Sequence, residues 1–340
     1  MKAVSYQGPN TIEVVDKPIP EMRTGHGLIK VVCAGICGTD LAIATGKHPR
    51  ATPPLVMGHE FAGTVVDLPP GGSAHIQIGD RVTANPLLAC GVCYVCRAGQ
   101  PHVCRNLKLI GIDTDGAFAE YVLVRAEAVM KLPPHLSAVE GALLEPLAVC
   151  LHAARMSRLQ IGDTVVITGA GPIGLLMALV ARAAGAAKII VTELVPARLA
   201  MAREFGFTVL DAADSDLVEQ VLALTNDRGG DIIFEATGQP SVTPYLLELV
   251  KIRGQIVQVG VFKHPVPLDL RTLNFHEVDL IGARVYTMAD FERAISLAAD
   301  RRIDLKSVPV RRVPLAEATG GFQTAQAGEA LKVILEVEQT

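Results

Sequence analysis

A β-branched apolar run, Thr164-Val165-Val166-Ile167-Thr168, passes directly into Gly169-Ala170-Gly171-Pro172-Ile173-Gly174 and then into a helical pattern from Leu175 to Ala184. Gly185 stops the helix, and a second apolar run, Lys188-Ile189-Ile190-Val191-Thr192, ends in Glu193. A G-x-G-x-x-G string alone is weak. Strand, glycine turn, helix, strand and acidic residue in that order predict the first half of a doubly wound parallel sheet that binds a dinucleotide. Gly169 permits the tight turn, Gly171 lets backbone amides approach a pyrophosphate, and Gly174 lets helix and sheet pack closely. The helix start, at Pro172 and Ile173, then favours the phosphates. Glu193 stands where a carboxylate accepts both hydroxyls of an adenosine ribose and repels a 2′-phosphate, which favours NAD over NADP. Arg198, five residues on, is read as a counter-argument to that preference, as an adenine neighbour, or as a solvated helix residue.

The alternation continues from Pro196 to Val259. Helices are expected over Pro196–Phe205, Ser215–Leu224 and Ser241–Leu249, with strands at Thr208–Leu210, Asp231–Glu235 and Gln255–Val259. The strand ends carrying Thr237, Gly238, Val259 and Gly260 should lie at the carboxyl edge of the sheet, where dinucleotides bind.

The texture before residue 150 differs. Short β-like runs (Leu28–Val32, Gly63–Val66, Arg81–Ala84, Tyr121–Val124) alternate with Pro18, Pro20, Pro53, Pro54, Pro69 and Pro70, which interrupt any long helix. The pairs Gly71-Gly72 and Gly79-Asp80 mark turns. An irregular all-β domain of Greek-key or barrel character is expected. Residues 285–340 are too few for a core of their own and should return to that domain. They carry a helix over Asp290–Ala298 capped by Asp290, and a closing strand, Lys332–Leu335.

Seven cysteines are present, and four of them fall within fifteen residues: Cys90, Cys93, Cys96 and Cys104, in a C-x2-C-x2-C-x7-C pattern. Four thiolates close a tetrahedral shell around zinc and leave no position for water, as in a structural site. An iron–sulfur cluster takes the same donors. Cys33 and Cys150 read as small buried apolar residues.

A second donor group is dispersed. Gly58-His59-Glu60 offers an imidazole beside a carboxylate, Cys37 precedes it and Glu145 follows, and all are ligand types suited to zinc. These groups are expected to meet at one open zinc, facing a nicotinamide held by the glycine turn. Thr39 puts a hydroxyl two residues after Cys37, where it can take and relay a proton. His48 and Tyr286 are candidates for the substrate pocket. Neighbouring side chains on an extended strand point to opposite faces, so His59 and Glu60 can share an ion only if the backbone bends there.

The balance of 31 basic against 35 acidic residues gives no polybasic patch for nucleic acid or a membrane surface. No apolar run approaches the ~20 residues of a membrane span. The N-terminus lacks a signal-peptide core. A cytoplasmic enzyme is expected.

Taken together, Cys37-Gly38-Thr39-Asp40, Gly58-His59-Glu60, the four clustered cysteines, Glu145-Pro146-Leu147-Ala148 and Gly169-x-Gly171-x-x-Gly174 resemble the zinc-dependent medium-chain dehydrogenase/reductase family over nearly the whole chain. The resemblance implies a GroES-like irregular β-barrel catalytic domain at 1–150 with a structural zinc lobe at about 88–106. It implies a Rossmann NAD-binding domain at 151–284, and a return segment, 285–340, that completes the catalytic domain. It implies two zinc ions per subunit: a catalytic one on Cys37 and His59, with Glu60 and Glu145 ligating directly or through water, and a structural one on Cys90, Cys93, Cys96 and Cys104. Glu145, where many simple alcohol dehydrogenases carry cysteine, resembles the polyol, sugar and threonine dehydrogenase branch. Several relatives place a proton-relay or substrate-binding histidine two residues after Cys-Gly-[Ser/Thr]-Asp. Here that position is Ala42, which weakens the threonine reading and makes His48 a candidate replacement.

The expected activity is therefore reversible NAD-linked oxidation of a secondary alcohol in a polyol or sugar-like substrate, in a homodimer or homotetramer. An L-threonine or simple alcohol dehydrogenase is the alternative, and a non-catalytic NAD- and zinc-binding protein the remote one.

Overall fold

Where strands are apolar on both faces they bury both, and the central part of the chain does this. In a computed structural model that describes residues 1–69, 75–328 and 330–337, residues 146–286 form one compact unit. Its six-stranded sheet runs in the order Thr208–Asp211, Lys188–Glu193, Thr164–Thr168, Gly230–Glu235, Val250–Gln258, Asp279–Gly282, with every neighbouring pair parallel. Chain order reverses between Thr164–Thr168 and Gly230–Glu235, the topological switch point at which such sheets take their ligands. Val166, Ile190, Ile233 and Ile256 pack with Leu246, Leu247 and Leu249 in one buried cluster. The helix expected over 241–249 is instead a 3-10 turn, Pro240–Val242, and a short helix, Leu246–Leu249. Pro244 has no N–H to give to a helical ladder, so the helix cannot run through it.

The second unit comprises Met1–Glu145 and Thr287–Thr340. The expected domain boundaries fall after residues 150 and 284, whereas the two units part after Glu145 and after Tyr286. The long helix Ala138–Met156 contains Pro146. A sheet in the order Val129–Lys131, Arg81–Ala84, Glu60–Asp67, His26–Gly35, Lys332–Glu336, Val310–Pro314 forms the frame, with Tyr121–Arg125 also paired to His26–Gly35. Register shifts between His26–Gly35 and Glu60–Asp67 twist these two strands. Gly63 lies so close to the partner strand that a Cβ there would sit 2.2 Å from the Lys30 carbonyl oxygen.

The return segment meets this frame directly: Lys332–Glu336 pairs antiparallel with His26–Gly35 and parallel with Val310–Pro314. Its helix, Met288–Ala299, is capped by Thr287 rather than Asp290. Asp290 sits three residues in and closes a capping box, its carboxylate accepting the Thr287 N–H at 3.0 Å. The expected turn at Gly71-Gly72, and Pro70 before it, lie outside the described residues. Among the described residues no helix is long and apolar enough to cross a membrane.

Candidate active site

The His26–Gly35 strand delivers Cys37, which caps the helix Gly38–Ala44 and donates its backbone N–H to Asp40 Oδ2 at 2.8 Å. Gly58, at φ +95°, turns the chain so that His59 stands outside the strand that Glu60 begins. That bend removes the conflict of adjacent side chains facing opposite ways. A Cβ at Gly58 would also approach the Phe118 ring to 2.5 Å, so the position excludes any side chain on two grounds. The result is a triad: one ligand atom each from Cys37, His59 and Glu60 lies within 4.8 Å of the others.

The site is almost closed to water, with Asp40 at 0%, Glu60 at 1% and His59 at 4% exposure. His59 Nδ1 lies 3.8 Å from Asp40 Oδ1, and neither atom has a hydrogen-bond partner among the described residues. Orphaned polar atoms in a dry site need a counter-charge. Burial works against a proton on His59, yet Asp40, Cys37 and Glu145 outweigh it and hold its pKa well above the usual imidazole value. A site that concentrates anionic donors in this way, with thiol, imidazole and carboxylate converging, fits a divalent zinc ion.

Glu145 is buried on the helix Ala138–Met156, outside the close triad but near enough to favour charge on His59. Thr39 lies in the first turn of the helix after Cys37 and is partly exposed. His48 is half-buried. Its Nδ1 accepts the backbone N–H groups of Arg50 at 3.4 Å and Ala51 at 3.2 Å, which leaves the proton on Nε2. Burial and the Arg50 charge lower its pKa, so the ring is neutral near pH 7.

Lys332 was not singled out from the sequence. It begins the closing strand and forms an ion pair with Glu60 Oε2, both side chains 2% exposed. Gly35 lies opposite Glu60, and a Cβ there would meet Glu60 Oε2 at 2.5 Å and Lys332 Cε at 2.9 Å, so the glycine makes the space this pair fills. The only sequence signal was a lysine opening an otherwise apolar closing strand.

Cys90, Cys93, Cys96 and Cys104 also lie within 4.8 Å of one another. The Sγ–Sγ separations are 3.4 Å for Cys93–Cys96, 3.4 Å for Cys90–Cys104 and 3.8 Å for Cys93–Cys104, and all four cysteines are free. A tetrahedron with Zn–S bonds of ~2.3 Å has edges of about 3.8 Å. The backbone N–H groups of Cys90 and Asn106 donate to Cys104 Sγ at 3.3 Å each. Backbone N–H groups of Cys96 and Arg105 bring the Cys93 thiol down to about 6, toward the thiolate a metal requires.

In the parallel-sheet unit, Gly169 has φ +91°, and a Cβ on Gly174 would fall 1.8 Å from the Gly169 carbonyl oxygen. Gly171 caps the helix Pro172–Ala183, and beside its missing Cβ only Arg198 Nη1 comes near, at 3.8 Å, which leaves an open cradle of phosphate type. Glu193 ends its strand 8% exposed. Its carboxylate accepts the N–H groups of Ala170 (2.8 Å), Leu194 (2.7 Å) and Val195 (3.0 Å), with Arg198 Nη1 3.9 Å away. It thus braces the glycine turn with both lone-pair positions of Oε1 and one of Oε2, leaving about one on Oε2 free. Thr237, Val259 and Gly260 follow the ends of their strands as expected. Tyr286 is 0% exposed. Glu235, unremarked in the sequence except as a strand end, is fully buried and heavily bonded.

The chain matches the family described as "Alcohol dehydrogenase GroES-like domain" over residues 23–134 and that described as "Zinc-binding dehydrogenase" over residues 172–300. It is 37% identical to 2-dehydro-3-deoxy-L-galactonate 5-dehydrogenase of Pseudoalteromonas atlantica, over 99% of this chain and 98% of the relative. It is 36% identical to D-arabitol-phosphate dehydrogenase of Enterococcus avium, over 99% of this chain and 97% of that one. Among solved structures, a zinc-binding dehydrogenase from Sinorhizobium meliloti 1021, bound to NADP, superposes with a TM-score of 0.93 at 35% identity, covering 99% of each chain. With donors and glycine turn in place, the chain belongs to the zinc-dependent medium-chain dehydrogenase/reductase family and is an alcohol-type dehydrogenase that works with zinc and a nicotinamide coenzyme.

Proposed function

We propose that this enzyme oxidises a secondary alcohol of a polyol or sugar-like substrate to the ketone, reversibly and with NAD. The observation that carries the reading is the convergence of half-buried Cys37 with buried His59 and Glu60, whose Nδ1 and Oε2 lack a hydrogen bond among the described residues. Two relatives whose names specify sugar-derived alcohols support the substrate class. Bound there, zinc would supply Lewis acidity toward the substrate hydroxyl, and the nicotinamide would supply a hydride acceptor.

The chain's own groups then divide the work. Cys37 and His59 would hold the metal, with Glu60 or Glu145 completing the donor set directly or through water. Asp40 Oδ1, 3.8 Å from His59 Nδ1, acts on the imidazole through its charge alone. Thr39 takes the hydroxyl proton and passes it outward. His48, neutral with its proton on Nε2, donates a hydrogen bond to a substrate oxygen at the position that Ala42 leaves unserved. Cys90, Cys93, Cys96 and Cys104 hold a second, structural zinc. Gly169, Gly171, Pro172, Ile173, Gly174, Thr237, Val259 and Gly260 form the coenzyme bed, with Arg198 beside the glycine turn. NAD is preferred because the Glu193 carboxylate repels a 2′-phosphate.

We place the enzyme in the cytoplasm as a homodimer or homotetramer. The exposed edge strand Asp279–Gly282, with Leu280 44% and nearby Phe275 69% exposed, supports self-association. The test of the reaction is NADH formation across polyols, sugar acids and amino alcohols. A polyol or sugar derivative should lead the panel; a clear preference for L-threonine or a simple alcohol would replace this reading.

A further inference from the structure

The carboxylate of Glu235 is 0% exposed at the switch point of the parallel sheet, and it gathers donors from the ends of three adjacent strands. Thr168, the last residue of Thr164–Thr168, gives its hydroxyl to Oε1 at 3.3 Å. Beyond the end of Glu235's own strand, the Thr237 N–H reaches Oε1 at 2.7 Å, the Thr237 hydroxyl also bonds to Oε1, and the Gly238 N–H is shared between both oxygens at 3.1 Å. From Val250–Gln258, Gln258 Nε2 donates to Oε2 at 2.6 Å and to the Gly260 carbonyl at 2.7 Å.

The loops so tied lie backbone to backbone. A Cβ on Gly260 would fall 2.3 Å from Gly238 N and 2.6 Å from Glu235 Oε2. Gly238, at φ +60°, has no room for one against the Val261 carbonyl oxygen at 2.6 Å. An acceptor-only group that collects this many neutral donors fixes the position of each.

We propose that Glu235 is a positioning residue for the nicotinamide half of the coenzyme. A doubly wound sheet binds the two halves of a dinucleotide on its two halves. The strands Thr164–Thr168, Lys188–Glu193 and Thr208–Asp211 carry the glycine turn and Glu193, and so take the adenosine and pyrophosphate. The strands Gly230–Glu235, Val250–Gln258 and Asp279–Gly282 are left with the nicotinamide ribose and ring. Glu235 touches neither; it sets the Thr237–Gly238 and Gly260 backbone on which that half lies. This rests on the reading of the unit as a nicotinamide-coenzyme domain.

Glu235→Gln tests it. The amide offers one acceptor where the carboxylate offered two, and its NH2 faces other donors. Binding of NADH and of ADP-ribose, which lacks the nicotinamide, is measured by titration on wild type and variant with zinc content assayed alongside. Losing bonds to a buried charged acceptor should weaken NADH about 10-fold or more while ADP-ribose stays within about twofold. KM for NAD should rise with KM for the alcohol unchanged. Equal weakening of both ligands, or NADH binding unchanged in a folded variant, would overturn the proposal. Should Glu235→Gln not fold, Gln258→Leu, which removes one tether only, should show the same asymmetry at about threefold, and no asymmetry overturns it. Failure of the wild type to bind either NADH or NADPH would instead remove the coenzyme reading, and the proposal with it.

Discussion

Lys332 and Glu60 form an ion pair with both side chains 2% exposed, joining the closing strand to a residue of the metal triad. Burial opposes the ammonium charge, but Glu60, Cys37 and Asp40 hold the Lys332 pKa above its usual value. Removing one partner strands the other charge in a dry site. Lys332→Met should therefore lower stability by roughly 3–5 kcal/mol in chemical denaturation, and Lys332→Met with Glu60→Gln should recover most of it. A single variant as stable as wild type would show that the pair is not needed to balance Glu60.

The glycine at position 58 is required twice over, by φ +95° and by the Phe118 ring at 2.5 Å from its missing Cβ. Gly58→Ala should lower stability by about 2 kcal/mol or more and reduce zinc retention at the triad, because the bend that brings His59 to Cys37 must open. Thermal unfolding and metal analysis together check this; a variant with full zinc and wild-type Tm would contradict it.

The four-cysteine lobe has little apolar content of its own, with Val92 72% and Tyr94 65% exposed. Cys93→Ser should lose one zinc per chain and make residues 88–106 the first site of limited proteolysis, while the parallel-sheet unit still binds NADH. Retention of both metals would remove the structural-zinc assignment.

A pH dependence follows from Glu140. Burial raises its pKa, but hydrogen bonds from Ser137 and the Arg301 guanidinium outweigh burial and hold it below the usual 4.5. A depressed folded-state value means the unfolded chain binds the proton more readily, so stability falls with acid. The contribution is complete above pH 4.5 and is lost as pH drops through the lower folded-state value. Denaturation of wild type and Glu140→Gln at several pH values should give a gap that closes as pH falls below 4.5; a gap that widens in acid would reverse the sign.

What could be read in the sequence was local. The cysteine spacing and the strand–glycine–helix–strand run place their chemistry within a few turns of chain, so Cys90 to Cys104 and Gly169 to Glu193 were visible at once. The bend that joins His59 and Glu60 was anticipated only as a necessity, and Gly58 supplies it. Lys332 and Glu235 escaped notice because their roles depend on partners brought by other strands: Glu60 and Gly35 for one, Thr168 and Gln258 for the other. The helix expected over 241–249 is shorter because apolar periodicity runs past Pro244, which a helical ladder cannot; the cap of Met288–Ala299 is Thr287 rather than Asp290 because the two share one capping box.

The central claim is that Cys37 and His59 hold a zinc that the oxidation needs. Wild-type protein and the variants Cys37→Ala and His59→Ala should be compared for zinc per chain and for NADH formation with the best polyol or sugar derivative. The account predicts two zinc ions and turnover in the wild type, and one zinc with turnover reduced by roughly 10³-fold or more in each variant. Variants that keep both metals, or that lose one and still turn over at the wild-type rate, would contradict it.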